Sequence, residues 1–171
     1  LSADNMGGGS VNMALPLVQG VNVFGSDRDG TITPVISATG NYVAYFTDVA
    51  NDAGTLSVVT TAGQNPIPMM ITTGVQNFDQ FSPDGTKAAF GYIDSTKVSV
   101  VAADSLALLY TPDGTGVEKG NLGSVAWSLD GRTLYAGGIW WSNGYYPIRR
   151  WQDGGRGGYT DLQASSDTVM D

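Results

Sequence analysis

Cysteine and histidine are both absent from this 171-residue chain, and glutamate occurs once, at Glu118. Without cysteine there is no disulfide, no thiolate nucleophile and no cysteinyl zinc site. Without histidine the usual general base near neutral pH and the commonest metal ligand are gone, and with them every Ser-His-Asp or Cys-His constellation. Lys and Arg total only eight against 16 acidic residues, for a net charge of −8. No basic stripe exists to neutralise phosphates, so neither nucleic acid nor an anionic membrane surface is an expected partner. No run of about 18 apolar residues occurs, so no membrane-inserting helix is expected either. The scarcity of Glu and Lys also disfavours helix, because these residues populate helix surfaces.

What the chain has instead is 24 Gly and 15 Asp, residue types that favour turns. They are not scattered. Three blocks match one another: PVISATGNYVAYFTD (34–48), DQFSPDGTKAAFGYID (79–94) and VAWSLDGRTLYAGGIW (125–140). Their shared serines are Ser37, Ser82 and Ser128, so the steps are 82 − 37 = 45 and 128 − 82 = 46 residues. A constant period in this range marks a repeat architecture.

Each block has the same physical reading. A short apolar strand (Val35-Ile36, Gln80-Phe81, Val125 to Trp127) enters a tight turn, and an alternating strand leaves it (Tyr42 to Phe46, Lys87 to Tyr92, Thr133 to Ala136). Pro83 presets φ for the second position of a type I turn, Asp84 and Asp130 can accept from nearby backbone N–H groups, and Gly40, Gly85 and Gly131 tolerate positive φ. Third strands are expected at Thr55 to Thr61, Lys97 to Ala103 and Pro147 to Gln152, and fourth strands at Ile67 to Thr73, Ala107 to Thr111 and Tyr159 to Leu162. Four short strands per period of about 45 residues make the blade of a β-propeller.

The S-x-D-G turn followed by an alternating strand resembles the blade signature of WD-repeat and TolB-like propellers. Ile148-Arg149-Arg150-Trp151-Gln152-Asp153-Gly154 is similar to the strand that carries the Trp-Asp pair in WD repeats, with Gln152 intervening. The Gly-His dipeptide of regular WD blades is missing, so their buried His–Asp network cannot form here. The resemblance covers about Thr33 onward. It implies an all-β fold of four-stranded antiparallel blades, and no single function, since propellers host many unrelated roles.

Carried toward the ends, the period matches Leu1-Ser2 to Phe46-Thr47, which places a partial blade in 1–33, with strands at Ser10 to Leu15 and Val21 to Gly25. Blades are expected at about 34–78, 79–124 and 125–168, and Thr168 to Asp171 should open a further first strand. The expectation is a single propeller segment of about three and a half blades. It is expected to be a fragment, or one chain of an assembly in which a homo-oligomer or another chain supplies the remaining blades. Closure of four blades within one chain is the alternative.

No catalytic residue, metal site or cofactor is expected. The aspartates sit mostly in turns, where backbone hydrogen bonding explains them. Gly25 to Gly30 resembles a calcium loop but offers two carboxylates to an ion that takes six to eight oxygens, and the loop of Asp48, Asn51 and Asp52 is similar. Gly154 to Gly158 lacks the Lys-Ser/Thr ending and the helix of a phosphate loop. Unusual chemistry is concentrated in Trp140-Trp141-Ser142-Asn143-Gly144-Tyr145-Tyr146, followed by Arg149, Arg150 and Trp151. Aromatics with Arg give large rigid contact area at little entropic cost. Trp141, Asn143, Tyr145, Tyr146 and Arg149 are therefore the candidate binding residues, with Trp140 and Trp151 packing between blades. The expected role is a non-catalytic binding or scaffold module whose blade-rim loops contact a protein partner. A glycan-binding propeller and the regulatory part of a larger enzyme are the alternatives.

Overall fold

The computed structural model describes residues 34–50, 53–62, 67–71 and 80–165. The expected partial blade in 1–33, the opening strand at 168–171, the loop at Gly25 to Gly30 and the residues Asn51 and Asp52 lie outside the described residues. Among the described residues, twelve strands and one short 3-10 turn (Asp153–Gly155) follow in chain order. The first sheet holds β1 (Val35–Ile36), β2 (Tyr42–Ala50), β3 (Ala53–Thr60) and β4 (Ile67–Ile71). The second holds β5 (Gln80–Phe81), β6 (Lys87–Gly91), β7 (Val98–Ala102) and β8 (Leu108–Tyr110). The third holds β9 (Ser124–Trp127), β10 (Leu134–Gly137), β11 (Tyr146–Trp151) and β12 (Tyr159–Ser165). Each is a four-stranded antiparallel meander, in which every strand pairs with its sequence neighbour. These are three propeller blades.

Strands begin and end close to where turn chemistry and alternation place them, with two extensions. β2 continues past Phe46 to Ala50 and pairs with β3 as far as Ala50 opposite Ala53. The β-branched Thr47 and Val49 favour that extended backbone. β12 likewise runs on to Ser165, opposite Tyr146 at a register shift.

The serine corners form one repeated construction. The Ser82 hydroxyl donates to the Asp84 carboxylate at 2.6 Å and accepts the Lys87 N–H at 3.0 Å, while Gly85 N–H closes the turn onto the Ser82 carbonyl at 2.8 Å. Ser128, Asp130, Gly131 and Thr133 repeat these contacts at 2.6, 2.9 and 2.9 Å. At the first corner Thr39 stands where the aspartate would be, and its hydroxyl lies 3.2 Å from that of Ser37. Successive corners also touch. A Cβ on Gly85, whose φ is +68°, would sit 2.7 Å from Thr39 Oγ1, so glycine serves both the left-handed backbone and the close approach of the preceding blade.

Alternation along each strand gives every sheet two faces, and the three described sheets stack face to face in chain order. Ala44, Leu56 and Val58 of the first blade pack on Phe81, Ala88, Phe90 and Val101 of the second. Ala89, Val98 and Val100 on the second blade's other face pack on Trp127, Leu134 and Trp151 of the third. Complete burial of Phe90 alone contributes about 2–3 kcal/mol. β1 contacts β5 and β5 contacts β9, which brings the first strands of successive blades together along one side. There the exposed Gln80 accepts the Trp127 N–H at 2.6 Å, satisfying a backbone donor of the next blade.

Candidate binding rim

Because every connection between sequence-adjacent strands reverses direction, the serine corners lie at one edge of the blades. The β6–β7 loop (92–97), the β8–β9 connection (111–123) and the β10–β11 loop (138–145) lie at the other. Asn121, which sequence reading passed over, ties these three together. Its buried side chain donates to Ile93 O at 2.6 Å and accepts the N–H of Ile139 at 3.0 Å. A single asparagine in a connection gives no periodic signal that could have found it.

The β10–β11 loop ends in a two-residue hairpin. Ser142 N–H donates to Tyr145 O at 3.0 Å and Tyr145 N–H returns to Ser142 O at 3.2 Å. Asn143 and Gly144, with φ of +51° and +90°, take the left-handed conformation that Asn-Gly supplies at low cost in a type I′ turn. Flanking the bridge, Trp141 and Tyr146 meet edge to face, with centroids 5.0 Å apart and planes at 71°. Trp141 remains 51% exposed, Asn143 is exposed, and Tyr145 and Tyr146 are half-buried.

Arg149 does not join them. It is 1% exposed, so its expected place on the rim surface is corrected. Its guanidinium grips Asp161 through Nε at 2.8 Å and Nη2 at 2.9 Å, donates to Thr115 O at 2.7 Å, and lies 3.8 Å from the Tyr159 ring centroid. The physical reason is register. Arg149 sits opposite Ala136 as Ser99 sits opposite Phe90, on the face turned to the preceding described sheet, and Ser57 holds the same register opposite Tyr45. The two serines satisfy themselves on Tyr92 and Tyr45, whereas Arg149 reaches across to the β8–β9 connection. Trp140 and Trp151 are buried as expected, and Trp151 Nε1 donates to Asp113 O at 2.8 Å.

The neighbouring arginine is the one that faces outward. Along β11, half-buried Tyr146, Ile148 and Arg150 alternate with buried Pro147, Arg149 and Trp151. Tyr135 pairs with Arg150 at the register held by Ala44 with Val58 and by Ala89 with Val100. In the first two blades this pair is buried under the next blade, and it is small and aliphatic. In the third it is a phenol beside a guanidinium, and Arg150 makes no ion pair among the described residues. Tyr146, Ile148, Tyr135 and Arg150 thus share one face of the third sheet, and Trp141 meets Tyr146 at the rim end.

Other charged groups have local explanations. The Asp113 carboxyl is held below the usual range by the Thr115 hydroxyl and then its N–H, the latter at 2.8 Å. Burial pushes the Tyr110 phenol up, and its hydroxyl donates to Gly154 O at 2.8 Å. Among the described residues no group of three His, Cys, Asp or Glu side chains is placed to hold a metal ion.

No protein-family model matches the chain, and no curated protein matches it. Solved structures do. It is similar to a candidate TolB of Agrobacterium tumefaciens at 18% identity and a TM-score of 0.53, over 80% of this chain and 48% of that one. A candidate 6-phosphogluconolactonase of Bacteroides uniformis matches at 21% identity and a TM-score of 0.47, over 85% of this chain and 45% of that one. The chain spans about half the length of the solved proteins it matches. The TolB likeness supports the propeller fold, and the WD-repeat part of the sequence resemblance stays an expectation.

Proposed function

We propose that this propeller segment is a non-catalytic docking module, and that its contact surface runs from Trp141 and Tyr146 along β11 to Ile148, Tyr135 and Arg150. The observation that carries this reading is the exposed Trp141 held edge-on against Tyr146 by a two-residue hairpin. Such an aromatic pair is pre-organised, so binding it costs little side-chain entropy. Aromatic and Arg anchors dominate protein interfaces energetically. Arg150, without an ion pair among the described residues of a chain of net charge −8, favours a protein partner that brings a carboxylate.

A photo-crosslinking residue placed at 141, with one at Leu129 on the opposite edge as control, tests the proposal in the native source. Crosslinks to one protein from 141 and not from 129, lost on Arg150→Glu with the melting temperature unchanged, are the expected result. The double variant Trp141→Ala/Tyr145→Ala should weaken that complex about tenfold or more while costing under about 1 kcal/mol of stability. A glycan array that binds the chain through Trp141, with no protein crosslinks, would give the site to carbohydrate instead. Binding to neither would end the docking proposal.

A further inference from the structure

Nine asparagines occur in the chain, and only Asn143 is followed by glycine. Its surroundings differ from those of the other described asparagines. Asn143 is exposed, and its side chain makes only a 3.4 Å contact from Nδ2 to Ser142 Oγ. The Gly144 N–H makes no hydrogen bond within the turn, whose two backbone bonds both belong to Ser142 and Tyr145. Gly144 is exposed, and no heavy atom beyond its chain neighbours lies within 4 Å of a Cβ built on it, so the hairpin tip is not packed against the rest of the sheet. The hairpin tip is an isolated bridge outside β10 and β11, and local opening of such a segment costs far less than global unfolding.

We propose that Asn143–Gly144 is a site of spontaneous backbone-assisted deamidation, which installs an acid in the middle of the aromatic rim. Loss of the Gly144 amide proton to hydroxide makes that nitrogen a nucleophile. It attacks Asn143 Cγ, the N–Cγ bond forms, the Cγ–Nδ2 bond breaks, and Nδ2 leaves as ammonia after taking a proton from water. The five-membered imide then adds one water. Breaking its Cγ–N bond gives an ordinary aspartyl residue on the normal backbone, and breaking the bond from the main-chain carbonyl to nitrogen gives the isoaspartyl linkage. Either product moves the net charge from −8 to −8 − 1 = −9. The isoaspartyl form also inserts a methylene into a two-residue turn, which removes the register that holds Trp141 against Tyr146. Weaker docking of an acidic partner after conversion rests on the function proposed above, whereas the chemistry itself does not.

The test is prolonged incubation of the intact chain at mildly acidic and mildly alkaline pH, followed by peptide mass mapping and isoaspartate-specific methylation. Conversion at Asn143 should be at least several-fold faster than at Asn41, which is exposed but precedes Tyr42. It should be absent at Asn121, whose amide is buried and bonded at both ends. The rate should rise with pH, and Gly144→Ala should slow it several-fold by crowding the attacking nitrogen. An amide at Asn143 that outlasts the one at Asn41, or a rate indifferent to pH, would overturn the proposal. Measuring partner binding separately on the converted chain distinguishes a failure of the chemistry from a failure of the docking reading.

Discussion

Two tryptophans in the core between the second and third blades differ by one hydrogen bond. Trp151 Nε1 donates to Asp113 O, whereas Trp127 Nε1 is buried with no partner among the described residues. Replacing Trp151 by Phe removes a made bond and leaves the Asp113 carbonyl only its longer contact from Arg149 Nη1 at 3.3 Å; replacing Trp127 by Phe removes a donor with no partner among the described residues. Trp151→Phe should therefore cost about 1 kcal/mol more than Trp127→Phe, measured by urea denaturation. Asp84 supplies a second contrast at this scale. The Ser82 hydroxyl, then the Thr86 N–H, hold its carboxyl down at about 2. A depressed carboxylate adds stability that is complete above its unfolded value of 3.8 and is lost as pH falls through the folded value. Acidification from 3.8 toward about 2 should lower the melting temperature, and Asp84→Asn should flatten that part of the curve while leaving the slope above it unchanged. Asp130, bonded in the same way by Ser128, acts in the same direction.

At the scale of elements, the serine corner is a joint between blades as well as a turn within one. Gly85→Ala meets two penalties, the left-handed φ at about 1–2 kcal/mol and the clash with Thr39 Oγ1. Thr39→Ala removes the second and leaves the first. In a double-mutant cycle the pair should therefore be less destabilised than the sum of the singles, and additivity would show that the corners do not bear on each other. The turn itself was legible in the sequence because Ser, Pro, Asp and Gly each have a backbone reason to occupy their places. Contact with Thr39 was not, since it depends on where the preceding blade lies.

The whole molecule is held by faces shared between successive sheets, so damage in one blade should be felt in the next. Phe90 belongs to the second blade but packs in the cluster with Ala44, Leu56 and Val58 of the first. Phe90→Ala should cost about 3–5 kcal/mol and lower amide-exchange protection in β2 and β3 as well as in β6 and β7. Protection lost in the second sheet alone would mean that the blades unfold independently. Ala44 with Val58 and Ala89 with Val100 lie beneath the next described sheet, whereas Tyr135 and Arg150, on the third sheet, are half-buried.

Local chemistry determined most of the fold from sequence alone. Period, corners and alternation placed the strands of all three described sheets, because turn geometry and strand pairing are decided by residues within a few positions of each other. The rim hairpin was equally legible, since Asn-Gly between aromatics is a local signal. Alternation in Tyr146 to Trp151 separates two faces but does not say which one a neighbour covers. Sequence alone therefore put Arg149, of the two adjacent arginines, on the rim, and only the tertiary structure buried it on Asp161 and Thr115 and left Arg150 outward. That choice is made by the position of the preceding blade, a contact between residues far apart in the chain.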